Sequence, residues 1–173
     1  MWERYGTQCA VFHEDMDMIE RDRAAAYFAE QEGGAQILLC SEIGSEGRNF
    51  QFARHLVLFD LPDNCDLIEQ RIGRLDRIGQ GSDIYIHIPV QSKTKQARLA
   101  ALYHHGFDMF SQPNPAASPI FEAYGSEIEE MLDTGENAET IIMQAKEASR
   151  QLLAEIEQGR DRLLEQHSFQ ENR

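Results

Sequence analysis

Gln70-Arg71-Ile72-Gly73-Arg74-Leu75-Asp76-Arg77-Ile78-Gly79-Gln80 spaces three arginines at i, i+3 and i+6. Leu67, Ile68, Ile72 and Leu75 fall on one side, so the pattern predicts a helix over 66–78. On such a helix Arg74 and Arg77 share a face, with about 5–6 Å between Cβ atoms. Two guanidinium groups that close repel, and an anion between them relieves the cost. Guanidinium forks match phosphate oxygens bidentately. An arginine delivered to a transferring γ-phosphate is worth about 10³–10⁵ in rate. Gly73 is costly inside a helix, which predicts close approach by another backbone or a ligand. The plain alternative is that these arginines pair with Glu69, Asp76 and nearby acids on a solvated face. Residue chemistry alone leaves both readings open.

Apolar runs on either side supply the frame. Residues 8–12, 35–40, 55–60 and 84–90 read as strands. The second and third are continuous enough to be buried on both faces. Residues 17–29 read as an amphipathic helix closed by Gly33-Gly34. Its acidic start, with Asp15, Asp17, Glu20 and Asp22, suits the helix dipole. Strand, helix, strand, loop, strand, helix, strand predicts an α/β layer with a parallel sheet. Right-handed crossovers put the polar loops after Cys40 and Asp60 at the carboxyl edge, where open α/β sheets bind ligands.

After Val90 the pattern turns helical, over 93–110, 120–132 and 136–167, with a Pro/Ala/Ser loop at 112–119. Ile141, Ala145, Ala148, Leu152, Ile156 and Leu163 form one stripe. A long helix bracing the rest of the protein is the plain reading of that stripe. A coiled coil or partner-binding helix is the other, and Gly159 counts against it. The sequence therefore divides into 1–92, an α/β part, and 93–173, a helical extension.

Net charge is −14, which taken whole argues against a nucleic-acid binder. The charge is unevenly placed. Residues 1–65 carry 5 basic and 12 acidic side chains, 66–100 carry 6 and 4, and 101–173 carry 5 and 14. The one net-positive stretch holds the arginine string, so a polyanion is held locally if at all. Cys9, Cys40 and Cys65 are widely spaced and form no CxxC pair, which suits a reducing cytoplasm. No run approaches the ~20 apolar residues of a membrane span, and the N-terminus lacks the pattern of a secretory signal. His104-His105 are adjacent and so make a poor metal pair on a helix. His13, His55, His87 and His167 are scattered, and no metal site is expected.

Gln-Arg-x-Gly-Arg-x-x-Arg followed by Ile-Gly-Gln resembles the sixth motif of superfamily-two helicases, in the form used by Swi/Snf-type translocases. Ser41-Glu42-Ile43-Gly44-Ser45-Glu46-Gly47-Arg48-Asn49-Phe50-Gln51 resembles the fifth motif of the same family. Its small residues let a backbone approach phosphates. Such a loop alone is a weak signal, since an ordinary βα turn reads the same way. Placed about twenty residues before the arginine string, it is a strong one. Asp60-Leu61-Pro62-Asp63-Asn64 occupies the place of the family's Asp-x-Pro/Trp-Asn-Pro link, from which Asp63 and Cys65 depart. Ser45 stands where a Gly is usual. His13-Glu14-Asp15-Met16, residues 19–26 and residues 157–165 narrow the likeness to the RapA family. These are bacterial Swi/Snf-type ATPases that associate with RNA polymerase and promote its recycling. The likeness is tight over 10–90, looser over 91–150, and returns near 157–167.

The resemblance implies a partial RecA-like lobe of the helicase C-terminal type, followed by a helical extension. It implies Arg74 and Arg77 as catalytic fingers, and Gln70, Glu46 and Gly47 as further ATP contacts. Ser41, Gly44, Ser45 and Asn49 would meet a DNA or RNA strand. ATP and Mg²⁺ are the implied cofactors of the full enzyme, and RNA polymerase its partner. The chain has no GxxxxGK[ST] and no Asp-Glu-x-His box. The family keeps those in its N-terminal RecA-like lobe, so this chain is expected to begin inside lobe two and not to hydrolyse ATP alone. A non-enzymatic module that docks polymerase through the acidic helical tail is the alternative.

Overall fold

The computed structural model describes residues 6–41, 49–77, 79 and 81–171, with side chains through residue 160. The chain divides into two compact units, Met1–Arg54 with Arg74–Asp83, and His55–Gly73 with Ile84–Arg173.

The first unit is built on a βαβ hairpin. Strand β1 (Cys9–Phe12) leads through helix α1 (Met18–Ala29) to strand β2 (Ile37–Cys40). The strands pair in parallel, from Cys9 opposite Ile37 to Phe12 opposite Cys40. The acidic start of α1 does more than complement the dipole. The Asp17 carboxylate accepts from the Glu20 N–H at 2.8 Å, and the Asp17 N–H donates to Glu20 at 3.0 Å, a reciprocal cap that satisfies two orphan donors. Ala10 and Phe12 are buried, whereas Val11 and Leu39 are about half exposed. The prediction that residues 35–40 are buried on both faces is therefore corrected. A two-stranded ladder with α1 packed against it leaves the other face open. The α1 helix itself buries no residue fully, and Ile19 points to solvent.

The second unit opens with another βαβ hairpin. Strand β3 (His55–Val57), helix α2 (Cys65–Ile72) and strand β4 (Tyr85–His87) follow in order, and β3 pairs β4 in parallel. Leu56 and Ile86 pack against the core, while His55, Val57, Tyr85 and His87 face outward. Here too the strand is buried on one face only, and it ends at Val57. Among the described residues, the single parallel layer read from the sequence is two separate two-stranded ladders.

Four helices complete this unit. They are α3 (Lys95–Ala101), α4 (Ala117–Ala123), α5 (Gly125–Thr134) and α6 (Ala138–Glu171). The helix expected over 93–110 widens at its end into a π-helical turn at Leu102–Gly106. An added Cβ at Gly106 would stand 3.0 Å from the Leu102 side chain, so the crowding there is within the turn itself. The loop expected over 112–119 is shorter, because Asn114 starts α4. Its carboxamide accepts from Ala116 N–H and donates to the Phe107 carbonyl and to Ser149 of α6. Its own N–H donates to Glu69 of α2. This buried polar knot ties three segments of the unit together. The stripe on α6 packs as expected at Ile141 and Ala145, whereas Ile156 is 40% exposed.

Ile68, Leu99, Leu102, Tyr103, Ile128 and Met131 form the fully buried centre. Cys65 sits among them, and burial pushes its thiol up to about 12, with Asp66 adding to the shift. An unfolded cysteine ionises near 9.0. Above that pH the unfolded chain releases a proton that the folded one keeps. The stability tied to this burial is complete below pH 9 and is lost as the pH rises from 9 to 12. We predict that urea denaturation shows this fall, and that Cys65→Ala makes it shallower, with the part due to the other groups that burial shifts, Cys40 and Tyr103, remaining, while lowering stability at pH 7 only modestly.

Candidate nucleotide and nucleic-acid site

The arginine string does not continue the helix. The α2 helix ends at Ile72, and Gly73 caps it with φ −62°, its N–H bonded to the Glu69 carbonyl. A Cβ on Gly73 would stand 3.1 Å from that carbonyl, so the crowding is with its own helix. This corrects the expectation of a helix to 78 and of Arg74 and Arg77 on one helical face. The close approach predicted at Gly73 is likewise a local one. Gly79 has φ +97°, a region that side chains other than glycine rarely adopt, so the turn closes at a position that requires glycine.

Arg71, still on α2, is drawn to the link before the helix. Its guanidinium donates to the Asp60 carbonyl at 2.7 Å and meets the Asp60 carboxylate at 3.5 Å. Glu69 accepts from the Asn114 N–H. The link itself is clasped from several sides. Gln96 bonds both polar backbone groups of Leu61, Lys95 lies 3.1 Å from Asp63, and the Tyr103 hydroxyl donates to the Pro62 carbonyl. Burial raises the Tyr103 pKa, so the hydroxyl keeps its proton. Asn64 caps α2 with its side chain. Gln70 is exposed on the same helix.

Arg74 belongs to the first unit, half-buried beside a buried Leu75, and Arg77 is exposed. The Phe50 N–H donates to the Arg74 carbonyl at 2.9 Å. Phe50 is buried and packs edge-on against Phe28 of α1 at 5.9 Å. The exit of the small-residue loop and the arginine turn are therefore held together within one unit. Asn49, beside this contact, spends its carboxamide on Gln51 in a local turn. Gly44, Ser45, Glu46 and Gly47 lie outside the described residues.

Ser41 ends β2, and its N–H donates to the Phe12 carbonyl. Its hydroxyl donates to the Glu14 carboxylate. That bond holds the Glu14 pKa below the usual carboxylate value, with Glu14's own N–H and the nearby His13 and Arg21 helping. Sequence reasoning did not single out Glu14 as a site residue. Its only signal is topological: Phe12 pairs with Cys40, which sets the turn after β1 beside the end of β2.

Residues 83–173 match the RNA polymerase recycling family, C-terminal. The chain belongs to that family. Residues 1–79 match the helicase conserved C-terminal domain. The RNA polymerase-associated protein RapA of Vibrio campbellii is 54% identical over 168 residues, covering 96% of this chain. The chain spans 17% of that relative's length. The C-terminal part of the Fun30 ATPase domain is 16% identical with a TM-score of 0.52, over 76% of this chain and 42% of that one. That likeness shows the fold alone: a helicase-type C-terminal α/β lobe. A SWI2/SNF2 ATPase core from Sulfolobus solfataricus, solved with dsDNA, reaches a TM-score of 0.46 at 16% identity, over 75% and 27% of the two chains.

Leu75 anchors the arginine turn of this recycling-family chain by burial. Truncating it leaves a cavity beneath Arg74. We predict that Leu75→Ala lowers stability by about 2–5 kcal/mol in chemical denaturation. A loss below about 1 kcal/mol would show that the turn is not anchored there.

Proposed function

We propose that this chain is the completing half of an ATP-driven nucleic-acid translocase that associates with RNA polymerase and promotes its recycling. Residues 1–92 act as the end of lobe two, and 93–173 as its helical extension. Arg74 and Arg77 are the fingers that reach the γ-phosphate bound by the N-terminal RecA-like lobe, with Gln70, Glu46 and Gly47 assisting. Ser41, Gly44, Ser45 and Asn49 meet one strand of DNA or RNA. The observation that carries this reading is the bond from Phe50 N–H to the Arg74 carbonyl. It ties the arginine turn to the segment leaving the small-residue loop, so nucleotide and strand are sensed by one body.

The donor set supports phosphate and not metal. Guanidinium groups donate to phosphate oxygens and cannot ligate Mg²⁺, so the metal in this reading belongs to the other lobe. ATP supplies the anhydride whose cleavage drives the cycle. This chain's part is to place positive charge where the terminal phosphate gains negative charge. Closure of the lobes then couples that chemistry to movement along the strand. The setting is the bacterial cytoplasm, and no described helix is long and apolar enough to cross a membrane.

Arg74→Ala in the full-length enzyme is expected to lower kcat by about a thousandfold or more, with ATP affinity much less affected. Unchanged turnover would sink the finger assignment. The isolated chain is expected to show no ATP turnover. Robust turnover abolished by Arg74→Ala would overturn the half-site reading.

A second reading, that the helical extension docks polymerase, is favoured by one feature. Residues 99–145 contain eight acidic side chains and no Lys or Arg. Within that stretch a groove of about 270 Å³ is lined by Glu127, Glu130, Glu136, Met131 and Ile141. The extension shares its core with α2, so substitution in the whole protein tests this better than excision. Glu127→Gln, Glu130→Gln and Glu136→Gln together should weaken polymerase binding several-fold at low salt. Unchanged binding would argue against docking here.

A further inference from the structure

The side chain of Ser41 has only one proton to donate, and it is committed to Glu14. What remains outward on the Ser41 oxygen is acceptor capacity. Glu14 is a carboxylate held in its charged form, so it too only accepts. Its backbone carbonyl is taken by Arg21 at 2.6 Å. A phosphodiester oxygen is also only an acceptor. The pair itself offers it no side-chain donor, and it meets the Glu14 charge, which the neighbouring Arg21 and His13 offset only in part. While the Glu14 bond is made, the Ser41 hydroxyl has no proton left for a phosphate.

A ribose hydroxyl meets the opposite chemistry. The 2′-OH can donate to the Ser41 oxygen or to the free acceptor positions of Glu14, and it carries no charge to be repelled. The 2′-OH is the group that distinguishes RNA from DNA at a contact. We infer that Glu14 and Ser41 form a sugar-reading pair at the carboxyl edge of β1 and β2, which accepts a hydrogen bond from a ribose 2′-hydroxyl and so favours a ribonucleotide strand over a deoxyribonucleotide one. This deepens the proposal above, because it rests on Ser41 facing a strand. Glu14 is the specificity-determining member of the pair. It acts on the strand directly and by fixing the direction of the Ser41 proton.

The test is fluorescence anisotropy of the full-length protein with three same-sequence duplexes: RNA, 2′-O-methyl RNA and DNA. The methylated duplex keeps A-form geometry, loses the donor and gains a methyl group, whose bulk the two variants below leave in place and so control for. The wild-type protein should bind RNA about fivefold more tightly than its 2′-O-methyl counterpart, the effect of one net hydrogen bond. In Glu14→Gln the carboxamide can donate to the Ser41 oxygen, which frees the serine proton for a phosphate. The ratio should then fall to about one and DNA binding should tighten. In Ser41→Ala the ratio should also fall, without the gain on DNA. Equal binding of RNA and 2′-O-methyl RNA by the wild type, or a preference that neither variant moves, overturns the sugar-reading pair and leaves the translocase reading standing. No binding of any duplex overturns both.

Discussion

The bond from the Phe50 N–H to the Arg74 carbonyl is the constraint on which the candidate site depends. A chain that leaves a helix carries backbone groups that the helix no longer satisfies, and they must find partners elsewhere. The Gly73 N–H makes the last i→i−4 bond of α2, to the Glu69 carbonyl. Arg74 then joins the first unit, where Phe50 takes its carbonyl and Leu75 is buried. The direction of the arginines is set by this anchor and not by helical periodicity. On the proposed reading, an element that fixes a cation beside the segment offered to a strand is suited to coupling one event to the other.

Much of the architecture was legible in the sequence, because βαβ order depends on apolar runs and breakers that are local. Strand, helix and strand appear in the expected order in both units, and Asp17 and Asn64 cap the helices that they precede. Two-face burial was misread. Ile37-Leu38-Leu39-Cys40 is as apolar as a central strand, yet Leu39 is half exposed, since hydrophobicity states what a strand tolerates and not what covers it. The end of α2 was misread for a related reason. Leu67, Ile68, Ile72 and Leu75 keep a helical spacing, but Leu75 is buried in a different unit from the other three.

The site was legible as a set of residue types and not as a set of bonds. The arginine string offers a phosphate site and a solvated ion-paired face alike, and only the structure shows Arg71 drawn to Asp60 while Arg74 is tied to Phe50. Asn49 and Ser41 are polar and well placed, yet each is already engaged, with Gln51 and with Glu14. Glu14 and Ser41 are 27 residues apart, and nothing short of the parallel pairing of β1 with β2 brings them together. The acidic balance of the chain, read at first against nucleic acid, becomes local in the same way. In the sugar-reading proposal, a carboxylate beside the loop shapes which group of a strand can be accepted there.

The central claim is that Arg74 serves the transition state of phosphoryl transfer and not the binding of nucleotide. The most direct measurement compares the affinity of the full-length enzyme for ADP with aluminium fluoride, which mimics the transferring phosphoryl group, and for ADP alone, with and without Arg74→Ala. The account predicts that the variant loses about a thousandfold or more in capture of the mimic while its ADP affinity is nearly unchanged. Equal loss for both ligands, or no loss for either, would contradict it.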